Sequence, residues 1–92
     1  MIDTSDKVFM ISSRNSNLVY IGSTTQSLNK YLSTVKCRYK RGYTINKGLK
    51  LILALEDIRI MLLDKFQVIS YEELEAVKRQ YITFNGLDCT NL

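Results

Sequence analysis

The sequence predicts an α+β fold: a small three-stranded antiparallel sheet flanked by helices, in the order β-β-α-α-β-α. Three observations predict it. Two short apolar runs, Lys7 to Ser12 and Leu18 to Gly22, are separated by the polar turn Ser13-Arg14-Asn15-Ser16-Asn17, as in a hairpin. A stretch of helical period follows from Thr25 to about Arg41. A third apolar run then precedes a helix that starts on a capping box and stops at Asn85-Gly86.

Each element has its own local justification. Val8, Phe9, Met10 and Ile11 form a run with almost no polar interruption, which suits a central strand covered on both faces. Gly22 ends the second strand, where glycine permits close backbone approach. Thr25 is a plausible N-cap for the first helix, because its hydroxyl can accept from unpaired first-turn amides. Leu28, Tyr31 or Leu32, Val35 and Tyr39 fall on one face of that helix, while Lys30, Lys36, Arg38 and Lys40 spread over the rest. Lys40 and Arg41 close it just before Gly42, where cations favour the helix dipole and glycine the cap.

Tyr43-Thr44-Ile45-Asn46 is irregular. Leu49, Ile52 and Leu53 then suggest a short helix capped by Asn46, although Leu49, Leu51, Leu53 and Leu55 would equally suit a strand. Glu56-Asp57 turns the chain into a third strand, Ile58 to Leu63. In the capping box, Ser70 and Glu73 bond each other's amides, and Leu74, Val77 and Tyr81 mark the buried face of the final helix. Val8, Met10, Ile21, Leu28, Leu32, Ile60, Leu62, Leu74 and Val77 are expected to share one core around the sheet.

Ninety-two residues suit one domain, 1–92, with a single modest core. No apolar run approaches the roughly 20 residues that span a bilayer, and the start MIDTSDK lacks the features of a signal peptide. The expected location is therefore intracellular, cytoplasmic or nuclear, with no membrane partner. Cys37 and Cys89 are far apart and fit neither a disulfide framework nor a CxxC metal pair. Histidine is absent, which removes Ser-His and Cys-His nucleophile pairs and every zinc site built on imidazole. Chemistry must run on carboxylate, tyrosine, lysine or arginine.

The net charge of +4 is unevenly placed. Between Lys7 and Leu55 lie nine basic residues and no acidic one, so that segment carries +9 and the remainder −5. Such segregation points to an anionic partner for the basic part: nucleic acid or an acidic protein surface.

The run Leu18 to Leu32, LVYIGSTTQSLNKYL, resembles the second half of the signature of the GIY-YIG nuclease family, especially its viral members, in which a strand ending YIGST leads into a helix TxxLxxRL. Lys7 to Ile11 stands in place of the family's GIY or VYKI strand. ALED before the third strand, EEL…QYI in the last helix and the closing Asp88-Cys89-Thr90-Asn91 look like corresponding stretches, so the resemblance covers nearly the whole chain.

The resemblance implies phosphodiester hydrolysis with one divalent metal held by a glutamate, a tyrosine that helps activate water and an arginine that stabilises charge on the phosphate. Carried over residue by residue, Tyr20 and Gly22 match YIG. The first motif's tyrosine falls at Phe9, the helix arginine at Tyr31, a histidine or tyrosine one turn later at Val35, and the metal-binding glutamate at Lys78. A phenol cannot supply the cationic fork of guanidinium, and an ammonium repels the metal a carboxylate recruits.

The expectation that follows is a catalytically degenerate pseudo-nuclease, not an enzyme. No catalytic residue, metal site or cofactor is expected. It would bind DNA or RNA through Lys30, Lys36, Arg38, Lys40, Arg41 and Lys78, with Tyr20, Tyr31, Tyr39 and Tyr43 interleaved among the cations. The alternative is a structural or protein-interaction module, such as a small component of a viral particle. Residual metal-dependent endonuclease activity would need groups displaced to Arg38, two turns beyond Tyr31, and Glu75, one turn before Lys78.

Overall fold

A computed structural model describes residues 5–43 and 45–90, without the side chain of Leu87. Asn91 and Thr44, which belong to two of the stretches above, lie outside the described residues. The elements run β1 (Asp6–Ser13), β2 (Ser16–Thr24), α1 (Leu28–Lys40), α2 (Lys47–Leu53), β3 (Ile58–Phe66), α3 (Tyr71–Asn85) and a 3-10 turn (Gly86–Asp88). The sheet is antiparallel in the order β2-β1-β3, so the strand with the least interrupted apolar run is the central one.

Alternation along the strands divides the interior in two. Phe9, Ile11 and Tyr20 face Val35 of α1 and Leu49, Ile52 and Leu53 of α2. Val8, Val19 and Ile21 face the other way, onto Leu74 of α3 and Cys89. The expectation of one shared core is corrected accordingly: Leu28, Leu32 and Ile60 pack with the first cluster, whereas Met10 and Val77 pack with the second. Leu62 is 46% exposed. It lies on the edge strand beside a register shift opposite Val8 and Phe9, so no strand covers its outer side.

Caps fix the helix ends. α1 begins two residues later than Thr25 would place it: Ser27 is the N-cap, and its Oγ accepts from the amide of Lys30 at 3.3 Å. Thr25 sits in the preceding turn, where the neighbouring Thr24 Oγ1 accepts from the Gln26 amide at 3.1 Å. At the other end the amides of Gly42 and Tyr43 donate to the carbonyls of Tyr39 and Arg38, a Schellman closure that needs the positive φ of Gly42, +76°. Asn46 Oδ1 accepts from Gly48 and Leu49, which settles the ambiguous leucine run as a helix; Leu49, Ile52 and Leu53 are buried and Leu51 points outward. Ser70 accepts from the Glu73 amide at 3.1 Å and its hydroxyl donates to the Glu73 carboxylate at 3.0 Å.

Cys89 and Thr90 lie along the free edge of β2. Cys89 bridges Val19 in parallel, and the Thr90 amide donates to the Val19 carbonyl at 2.7 Å. α2 lies so close to this segment that a Cβ at Gly48 would collide with the Thr90 carbonyl oxygen. Among the described residues, no helix is long and apolar enough to cross a membrane.

Candidate active site

The β1–β2 register places Phe9 opposite Gly22 and Ile11 opposite Tyr20, so Phe9, Tyr20 and Gly22 share the sheet face that α1 covers. Tyr31 comes down on them from the first turns of α1. Its ring centroid lies 4.6 Å from that of Phe9, tilted by 46°, and the Phe9 and Tyr20 centroids are 6.4 Å apart. Val35, one turn further along α1, is buried in the same cluster. Five of the six positions singled out by the resemblance thus converge on one spot: Phe9, Tyr20, Gly22, Tyr31 and Val35.

Both phenols are held in the protonated form. Burial pushes Tyr31 up to about 12, with the neighbouring Tyr20 adding to the shift. Burial also raises Tyr20, and Cys89 adds to it. At neutral pH each is a neutral hydroxyl, able to donate a hydrogen bond.

A cleft of about 390 Å³ opens where β2 ends. Thr24, Thr25 and Gln26 form one wall, and Tyr31, Thr34, Val35 and Arg38 of α1 form the other. Tyr31 and Arg38 are seven residues apart, which stacks them on one side of the helix. Lys7 was missed as a site residue because it reads as the start of an apolar strand. It is buried, and its ammonium donates to the Thr25 carbonyl at 3.2 Å, pinning the wall of the cleft to β1.

Lys78 stands apart from this group. It lies on α3, whose apolar residues Leu74, Val77, Tyr81 and Ile82 pack on the opposite sheet face, and its ammonium is 2.7 Å from the Glu75 carboxylate. The cations of α1 also separate. Arg38 borders the tyrosine cleft and, with Arg41, Cys37 and Tyr43, an adjoining depression. Lys36 and Lys40 border a different cleft of about 480 Å³, together with Tyr39, Leu53, Leu55, Asp57 and Ile58. Lys30 is exposed on the Arg41 side.

The GIY-YIG catalytic domain model matches residues 7–82 of the chain. The protein belongs to the GIY-YIG family. No curated protein and no solved structure matches it. The matched segment runs from β1 through most of α3 and includes all six site positions.

This membership overturns the expectation that the chain is not an enzyme: the matched unit is a catalytic domain, of a nuclease family, and nothing in the site geometry demonstrates inactivity. The substitutions at Phe9, Tyr31, Val35 and Lys78 are departures from a pattern. They leave a formed cleft containing a guanidinium and a neutral phenol.

The resemblance implies a divalent ion held by a carboxylate of α3. Among the described residues no three Asp, Glu, Cys or His side chains cluster. A single carboxylate could suffice for magnesium, which keeps most of its waters. However, Lys78 presents an ammonium where the resemblance puts that carboxylate, and the nearby Glu75 is already neutralised by it. These residues do not fit a resident metal.

Proposed function

We propose that this GIY-YIG domain is a nuclease that takes the backbone of a nucleic acid into the cleft between the end of β2 and α1. The observation that carries the reading is the meeting of Arg38 and Tyr31 across from Thr24, Thr25 and Gln26, immediately after the YIG strand. A guanidinium beside a neutral hydroxyl offers charge-assisted and neutral hydrogen bonds to the non-bridging oxygens of one phosphate. Arg38 would neutralise charge that grows on those oxygens as the phosphodiester is attacked, the largest single contribution a preorganised site usually makes. Tyr31 would donate to the same group, and Phe9, whose ring centroid lies 4.6 Å away, would keep the Tyr31 ring in place. The hydroxyls of Thr24 and Thr25 are of the type that fixes backbone register without reading sequence. The run YIGST at Tyr20 to Thr24 supports placing the protein among the viral-type members.

The test is cleavage by the purified protein of supercoiled plasmid, linear duplex and single strands, run in chelator and again with magnesium or manganese supplied. Cleavage is expected, falling by about 10²- to 10³-fold in Arg38→Ala, the scale on which losing one transition-state donor acts. Absence of cleavage with every substrate, in a protein whose thermal unfolding shows it folded, would overturn the reading.

A further inference from the structure

The two outer edges of the sheet differ. β2 has Cys89 and Thr90 along it, whereas among the described residues no strand or bridge pairs with the outer side of β3. A row of unpaired amides and carbonyls on an outer strand is a template for another strand. β3 is nine residues long, IRIMLLDKF, and contains no proline; its charges, Arg59, Asp64 and Lys65, leave the middle, Ile60 to Leu63, apolar.

The apolar surface at this edge lies on both faces of the sheet. Met61 is opposite Met10, which packs in the cluster under α3, and Leu62 is opposite Phe9, in the cluster under α1 and α2. Residues directly opposite each other in a ladder share a face, so Met61 and Leu62 point to opposite faces. Both are nonetheless open to solvent, at 50% and 46%. A helix or groove laid on one face would cover only one of them. A strand added beside β3 covers both.

The pattern of β3 is complementary to itself. Leu63 is the extra residue of the bulge, because Val8 is opposite Asp64 and Phe9 is opposite Leu62. Counted along the pleat that β1 sets, Arg59 is therefore two places before Met61 and Asp64 two places after it. An antiparallel copy with Met61 opposite Met61 brings Ile60 opposite Leu62 twice and Arg59 opposite Asp64 twice, all favourable cross-strand pairs. Centring one place later, on Leu62, would set Met61 against Asp64 and Ile60 against Lys65; centring one place earlier, on Ile60, would set Arg59 against Met61.

We infer that β3 pairs antiparallel with β3 of a second copy of this chain, about a two-fold axis at Met61, joining the two sheets into one of six strands. An axis that reverses the strand and keeps it in the plane of the sheet is perpendicular to that plane, so the α1 and α2 side of both copies faces the same way. The two tyrosine clefts then open on one side of the dimer. Main-chain bonds supply the affinity and the side-chain rows fix the register. One strand pair is a small contact, below about 1,200 Å², and a dissociation constant of about 1–100 μM is expected.

Sedimentation equilibrium of the purified protein, over concentrations spanning that range, should show a monomer–dimer equilibrium. Met61→Lys sets two ammonium groups against each other on the axis and should leave the protein monomeric. Arg59→Asp and Asp64→Arg should each weaken association by about tenfold or more, and the two together should restore it, because the pairs are rebuilt with their charges exchanged. Thermal unfolding checks that each variant is folded. In a Cys37→Ser background, which removes the exposed thiol, Met61→Cys should form a disulfide-linked dimer on mild oxidation, since directly opposed Cβ atoms lie about 4.5–5.5 Å apart. Arg59→Cys, whose copies stand four places apart, roughly 13 Å along the strand, should cross-link at least about tenfold more slowly.

A chain that stays monomeric at every concentration would leave this edge to a strand of some other protein and overturn the inference. So would a dimer indifferent to Met61→Lys, a charge exchange that fails to restore association in a folded protein, or equal cross-linking at positions 59 and 61. None of these readouts depends on cleavage, so their failure leaves the nuclease reading untouched.

Discussion

The Cζ of Phe9 lies where a side chain at position 22 would be: a Cβ built on Gly22 would sit 2.6 Å from that carbon and 3.1 Å from Cε2 of Tyr20. The glycine of the YIG signature is thus required here by sterics, because the ring opposite it is fully buried and cannot swing away. Gly22→Ala should destabilise the fold by about 1–3 kcal/mol, the usual cost of overpacking a rigid site. Urea denaturation would measure it, and a change below about 0.5 kcal/mol would mean that the Phe9 ring has room to move.

The division of the interior by the sheet has an additive signature. Ile52 belongs to the cluster under α1 and α2, and Leu74 to the cluster under α3. Each truncation to alanine should cost about 2–5 kcal/mol. Because the residues lie in separate clusters on opposite faces of the sheet, the double variant should equal the sum within about 0.5 kcal/mol. A Val8→Ala, Leu74→Ala pair, drawn from one cluster, should depart from additivity. The double Ile52→Ala, Leu74→Ala chain can fall below the threshold for folding, in which case the comparison is made on Ile52→Val, at about 0.5–1.5 kcal/mol.

Much of this architecture was legible in the residues. The unbroken run Val8 to Ile11 announced the central strand, Asn46 announced a helix where the leucine pattern alone was ambiguous, and Ser70 with Glu73 announced α3 to the residue. Two features were not legible. Alternation says that a strand has two faces but not that helices from different parts of the chain would cover each, so a single core was expected where two form. The α1 start was misplaced because Thr25 and Ser27 are both good caps and only the path of the loop selects between them. Ser27→Ala should therefore cost about 1 kcal/mol and Thr25→Ala within about 0.5 kcal/mol.

In the site, Phe9, Tyr20, Gly22, Tyr31 and Val35 are neighbours because a strand register and one helical turn bring them together. The type of residue at Tyr31 and Lys78 suggested lost chemistry, and the sequence offered Arg38 only as a displaced group two turns beyond Tyr31; that both line one cleft with Thr24, Thr25 and Gln26 depends on how α1 packs against the end of β2, which residue type does not show. Lys7 escaped notice for a related reason: a lysine at the start of an apolar strand reads as solvated until the fold buries it against Thr25.

The raised Tyr31 sets an alkaline limit to stability. Its folded value of about 12 lies above the ordinary 10.0 of an unfolded tyrosine, so the native state holds the proton more tightly. The contribution is fully present below pH 10 and is lost as pH rises from 10 towards 12, where the unfolded chain ionises first. Thermal unfolding followed across that range should show a fall in Tm that is smaller in Tyr31→Phe. An equal fall in both proteins would place the alkaline sensitivity elsewhere, with Tyr20, itself raised by burial, the next phenol to replace.

Lys78 and Glu75 form an i, i+3 pair at 2.7 Å with side chains 20% and 35% exposed. A pair this open to solvent contributes little to stability, about 0–1 kcal/mol, so Lys78→Gln should leave the unfolding midpoint nearly unchanged. Its effect on ions is larger. The ammonium occupies the carboxylate oxygen that a divalent cation would need, whereas Lys78→Glu sets two carboxylates on adjacent turns of α3 with no cation between them. That variant should be less stable than the parent in chelator, through like-charge repulsion, and should gain Tm on titration with manganese by mass action, while the parent gains none. An equal rise in the parent would show that Glu75 already binds the ion in spite of its lysine, and that the donors of this helix fit a metal after all.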